Sequence, residues 1–196
     1  MRRFIPLFFL IVILLGNACQ HLDSKKNILK TEKDISGNED ILVLVVHQKN
    51  PIENIHKNQI KSIYLKKERY WANQEEIFCL DFPSGTEERE SFSNIVFNKN
   101  SYLMKKYWIQ IIERGYPARQ PMEIGRANRI MAFIHRNKNA IGYMRLNQYE
   151  YFKKNKKYNV KYLKIHGIEA SLSNAQSKQY PLIIKYRIPD PLVGKN

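Results

Sequence analysis

The sequence predicts an α/β fold, a three-layer-like sandwich with a mixed or mainly parallel sheet. Three observations carry that prediction: segments of strand character alternate with segments of helical period, residues 41–46 form an unbroken branched apolar run, and no internal repeat is present. With 196 residues the chain suffices for one domain with a genuine hydrophobic core. Lys and Arg outnumber Asp and Glu by 33 to 18, a formal charge of +15. That excess favours anionic surfaces, ligands or polymers and says nothing about fold.

Met1-Arg2-Arg3 precedes twelve apolar residues, 4–15, a run too short for a comfortable membrane span and shaped like a secretory leader. It ends in Leu15-Gly16-Asn17-Ala18-Cys19, which resembles a bacterial lipobox with Leu15 one residue further from the cysteine than usual. Gly16-Asn17-Ala18 would also suit an ordinary signal peptidase, leaving Cys19 a free thiol. The expected division is a signal peptide at 1–18, a polar tether at 19–40 lipidated at Cys19, a folded domain at 41–190 and a tail at 191–196. The expected location is outside the cytoplasm, periplasmic and anchored to the membrane as a lipoprotein. Removing residues 1–18 takes away two arginines and no acid, so the charge falls from +15 to +13. Cys79, between apolar neighbours, reads as a small buried hydrophobe.

The elements follow in order. Residues 41–46 read as a strand buried on both faces. Asn50-Pro51 turns the chain, and Ile60, Ile63 and Tyr64 place a helix near 57–65. Residues 77–81 form a second strand that runs through Pro83 into a helix ending near Phe97, with Phe92, Val96 and Phe97 on its buried face. A helix from Ser101 is expected to turn Leu103, Tyr107, Trp108, Ile111 and Ile112 inward and to stop at Gly115. After a loop at 117–121, residues 126–136 form another helix. Residues 140–144 form a strand in which Gly142 marks a close backbone approach. Residues 149–158 read as a Lys-rich surface stretch, 160–165 and 182–188 as the last strands, and 171–179 as a helical turn between them.

The chemistry concentrates at Ser84-Gly85-Thr86, where a strand delivers a turn to a helix start. Unpaired amides and the helix dipole favour an anion there, glycine lets the backbone come close, and two hydroxyls would complete the cradle. The same residues also read as a capping box, Ser84 bonding the Glu87 amide and Glu87 reaching back.

The order of motifs resembles the phosphate-binding proteins of ABC transporters. Val45-Val46-His47-x-x-Asn50-Pro51-Ile52, then Gln59-Ile60-x-x-Ile63-Tyr64-Leu65-x-Lys67 and Trp71, match one region of that family. Ser84-Gly85-Thr86 falls at its phosphate-binding turn, Ala140-Ile141-Gly142-Tyr143 at its Ala-Ile-Gly-Tyr strand, and Gly167-Ile168, Ser171, Asn174 and Tyr180-Pro181-Leu182 at its closing segment. Ser84, Arg89 and Phe92 fit a short branch whose turn reads Ser-x-x-x-x-Arg-x-x-Phe. The resemblance implies a periplasmic-binding-protein-like fold and phosphate or a related oxyanion as ligand, held by Ser84, Gly85 and Thr86 with Arg89 as helper. It further implies an ABC permease or another envelope protein as partner. The chain departs from the family at Leu80, where a phosphate-clamping arginine is usual. A first strand near residue 41 also leads one to expect that the N-terminal lobe, source of about half the phosphate contacts, is missing.

No catalytic function, cofactor or metal is expected. The five histidines, His21, His47, His56, His135 and His166, show no H-E-x-x-H spacing, and Ser84 lacks the flanks of a nucleophile elbow. The rival reading is an envelope interaction module that docks an anionic polymer or a protein. Lys153-Lys154-x-Lys156-Lys157, among Tyr149, Tyr151, Phe152 and Tyr158, would supply its basic surface, or would be only a solvated loop. Arg126 and Arg129, near a helix start, would alternatively line an anion groove. Export argues against intracellular nucleic acid.

Overall fold

The computed structural model describes residues 39–117, 119–156 and 158–185. The leader, Cys19, the tether to residue 38 and the tail lie outside the described residues. Among the described residues the strands are β1 (Glu39–His47), β2 (Asn54–Ile55), β3 (Phe78–Asp81), β4 (Met122–Glu123), β5 (Ala140–Arg145), β6 (Val160–Tyr162), β7 (Lys164–Ile165) and β8 (Ile183–Lys185). The helices are α1 (Lys57–Tyr64), α2 (Glu87–Phe97), α3 (Ser101–Glu113), α4 (Ala127–Arg136), α5 (Leu146–Lys156) and α6 (Leu172–Gln176). Among the described residues no helix is long and apolar enough to cross a membrane.

The main sheet is mixed, in the order β4-β3-β5-β1-β6, with β8 also on β1. It is not mainly parallel: β1 pairs antiparallel with β5, β6 and β8, while β3 runs parallel to β4 and β5. Ile41 to Val46 are wholly buried, as a strand covered on both faces must be. The strand starts earlier than the apolar run, because Glu39 and Asp40 pair with Lys185 and Ile184, so the expected tether loses its last two residues to the sheet.

The two faces of β5 explain the layers. Gly142 faces α4, where a Cβ would stand 2.7 Å from Ile130 Cγ2, so only glycine lets that helix approach. Its neighbour Tyr143 points the other way and stacks on Phe92 of α2 with ring centroids 3.9 Å apart. Tyr64 of α1 joins them at 4.8 Å from Phe92. Burial raises both phenols well above their ordinary range, and Tyr64 donates to the Leu80 carbonyl at 3.1 Å. Cys79 is buried as expected, and burial pushes its thiol up to about 11.

Three expectations need correction. On α3 the buried residues are Ser101, Met104 and Trp108, while Leu103 and Ile112 are exposed, since this helix lies on α2 rather than on the sheet and touches it along a narrow seam. Residues 149–158 are mostly helix α5, not a loop. In it Tyr149 is buried, and Lys153 turns inward to cap the carbonyls of Tyr158 and Val160, burial lowering its pKa. The expected strand at 160–165 divides into β6, on β1, and β7, which pairs with β2 in a separate two-stranded sheet.

Candidate functional site

The turn from β3 into α2 forms as the sequence requires, with a shifted start. Gly85 has φ +87°, a left-handed conformation that favours glycine, and nothing lies within 4 Å of where its Cβ would be. That extra bend delays the helix, so Thr86 rather than Ser84 is the N-cap, accepting from the Arg89 amide at 3.4 Å. The Ser84–Glu87 capping box does not form. Ser84 instead lies 2.7 Å from the Ser101 hydroxyl, which donates to Glu90, and the Ser101 amide donates to Glu90 at 3.1 Å.

Both hydroxyl protons are therefore engaged. The Ser101 proton goes to Glu90, so Ser84 must be the donor of its pair, and Thr86 donates to the Pro83 carbonyl at 2.8 Å. What faces outward is backbone: among the described residues the amides of Gly85, Glu87 and Glu88 take no partner within the chain. Ser84 and Gly85 are exposed, so these donors border solvent.

Two arginines control the charge. Arg89 does not point outward as a ligand helper: it is buried and ion-pairs with Asp81, itself 1% exposed. Asp81 also accepts from the Phe82 amide at 2.9 Å and from the Tyr143 hydroxyl. Arg145, which nothing in the sequence had singled out, bonds Asp40 at 2.9 Å and Glu87 and Glu88 at 2.7 Å each. Burial opposes its charge, but the bonds to Glu88, Glu87 and Asp40 win and raise its pKa further. The first-turn carboxylates that would repel an anion are thus held by a cation.

Across the turn, the Ile124 amide donates to the Asp81 carbonyl at 2.7 Å, and Gly125 abuts Pro83. Arg126, the N-cap of α4, follows directly; it is exposed and makes no ion pair among the described residues. Arg129 is exposed as well. The turn between β3 and α2 and the start of α4 therefore lie side by side, with the exposed Arg126 at the latter.

The fold occurs in known structures. The chain superposes with a TM-score of 0.58 on a Clostridium perfringens protein described as a phosphate ABC transporter substrate-binding protein with bound phosphate, at 22% identity. The fold is that of the phosphate-binding proteins of ABC transporters. A phosphate transport receptor from Vibrio cholerae matches at 16% identity and TM-score 0.58, and PstS from Borrelia burgdorferi at 14% and 0.60. These alignments cover 74%, 74% and 76% of this chain but only 53%, 54% and 56% of the other chains. The chain thus spans about half the length of each phosphate-binding protein named. No family model and no curated protein matches it.

Elsewhere, a cleft of about 450 Å³ beside β3 is lined by Lys66, Arg69 and Arg119 with Phe78, Cys79 and Met122. Lys66 donates to the Ile77 carbonyl at 2.7 Å and Arg69 to that of Pro117. Among the described residues no group of three His, Cys, Asp or Glu side chains is placed to hold a metal.

Proposed function

We propose that this protein is an exported, lipid-anchored, non-catalytic binding protein for phosphate or a similar oxyanion, working with an ABC permease or another envelope protein. The ligand seat is the Ser84-Gly85-Thr86 turn, through the amides of Gly85, Glu87 and Glu88, with Arg126 as the cationic contact. The observation that carries the reading is the set of unpartnered amides at a helix N-terminus, with the start of α4 alongside and its exposed Arg126 in no ion pair among the described residues. The fold shared with phosphate-binding proteins supports it. Ser84 and Thr86 shape the turn, and Arg89 holds it from within.

Magnitudes set the expected affinity. A helix N-terminus contributes about 0.3–1 kcal/mol to an exposed anion, and each charge-assisted hydrogen bond about 1.5–3 kcal/mol before the entropy of binding. Micromolar affinity needs about 8 kcal/mol net, so a seat open on one side binds at about millimolar. Calorimetric titration of phosphate into residues 20–196 tests this. Saturable binding near millimolar, weakened about tenfold in Arg126→Ala, supports the reading; no heat through tens of millimolar overturns it.

The cleft between Lys66, Arg69 and Arg119 favours a second reading, an envelope module that docks an anionic polymer or protein partner. Both bonded cations there rest on carbonyls, and among the described residues neither forms an ion pair, so three cations face the single carboxylate of Glu76 in the cleft. Retention on an anionic polymer that is lost in Arg69→Ala and kept in Arg126→Ala would select it.

A further inference from the structure

We infer that His56 and His166 form a bidentate site for a divalent transition metal of the nickel and copper class. The two residues are 110 apart in sequence, yet their Nδ1 atoms stand 3.0 Å from each other on the surface. The backbone holds both in place. His56 is the N-cap of α1, directly after β2, and His166 directly follows β7, the parallel partner of β2. The His166 amide donates to the Ile55 carbonyl at 3.0 Å, and the Gly167 amide to the Asn54 side chain at 2.7 Å. His166 has φ +55°, so its direction is fixed by a tight turn.

The spacing selects the metal. Metal–imidazole bonds of about 2.0–2.1 Å closing on nitrogens 3.0 Å apart enclose an angle of roughly 90°. That is the angle between neighbouring ligands in square-planar or octahedral geometry, as nickel and copper adopt, and is narrow for tetrahedral zinc. Water completes the shell. In the metal-free protein the Lys57 amide donates weakly to His166 Nε2 at 3.4 Å, so His166 carries its proton on Nδ1 and donates to His56. Metal binding at Nδ1 requires the tautomer with the proton on Nε2, at the loss of that one long hydrogen bond. His47 and His135 serve as internal contrasts, since their Nδ1 atoms accept from the amides of Lys49 and Asn159 at 3.0 Å each.

The test is titration of the full chain with Ni²⁺, followed by calorimetry and by paramagnetic broadening of amide resonances. Broadening centred on Lys57 and Gly167, with affinity at least tenfold weaker in both His56→Ala and His166→Asn and unchanged in His135→Ala, is the expected result. Asparagine keeps the left-handed backbone at 166, so that variant isolates the lost nitrogen. Affinity unchanged in the two pair variants, or broadening centred elsewhere, overturns the inference.

Discussion

Two arginines flank the start of α2 and do opposite things. Arg89 is paired one-to-one with Asp81 in a site closed by Tyr143 and Phe82, and its charge is consumed by the fold. Arg145 serves three carboxylates at once, Asp40, Glu87 and Glu88, and Glu87 is still 42% exposed. The first arginine fixes the turn; the second sets the electrical field that a ligand at the turn would meet. The difference teaches that an arginine close to a helix N-terminus in sequence need not be the one that governs its charge.

Six substitutions probe that contrast. Arg89→Met leaves Asp81 charged and buried without its partner and should cost about 3–5 kcal/mol in urea unfolding. Adding Asp81→Asn should recover part of the loss, because the two residues act as one unit. Arg145→Met should cost less, about 1.5–3 kcal/mol, with a visible dependence on salt that the Arg89 variant lacks. Thr86→Ala removes the N-cap and should cost about 1 kcal/mol, whereas Ser84→Ala, lacking a capping role, should cost less. The smallest effect is on the ligand: Glu88→Gln takes one negative charge from the seat and should tighten phosphate about two- to fivefold by calorimetry. Equal losses in the Arg89 and Arg145 variants would erase the distinction between them.

The sheet was legible because its signals are local. A six-residue branched run reads as a strand covered on both faces, and Gly142 marked the close approach that α4 makes to it. What failed depends on partners distant in sequence. α3 buries Ser101, Met104 and Trp108 because α2, not its own periodicity, decides which seam is covered. Lys153 reads as a surface charge until the carbonyls of Tyr158 and Val160 are seen beneath it.

The turn itself was found, but the roles within it were not. Gly85 in a left-handed bend moves the cap from Ser84 to Thr86, and this turns both hydroxyl protons away from solvent. Asp81, placed at the end of β3, was the one local sign that Arg89 would face inward. Arg145 and the His56–His166 pair join residues 57 or more positions apart, which spacing along the chain does not reveal.

The proposed oxyanion seat consists of the amides of Gly85, Glu87 and Glu88, with Arg126. Amide resonances recorded during a phosphate titration test it most directly. Those three amides should shift together along one millimolar binding curve, and Arg126→Ala should weaken the curve without moving it to other residues. Shifts confined to the surroundings of Lys66, Arg69 and Arg119, with Gly85 unmoved, would contradict it.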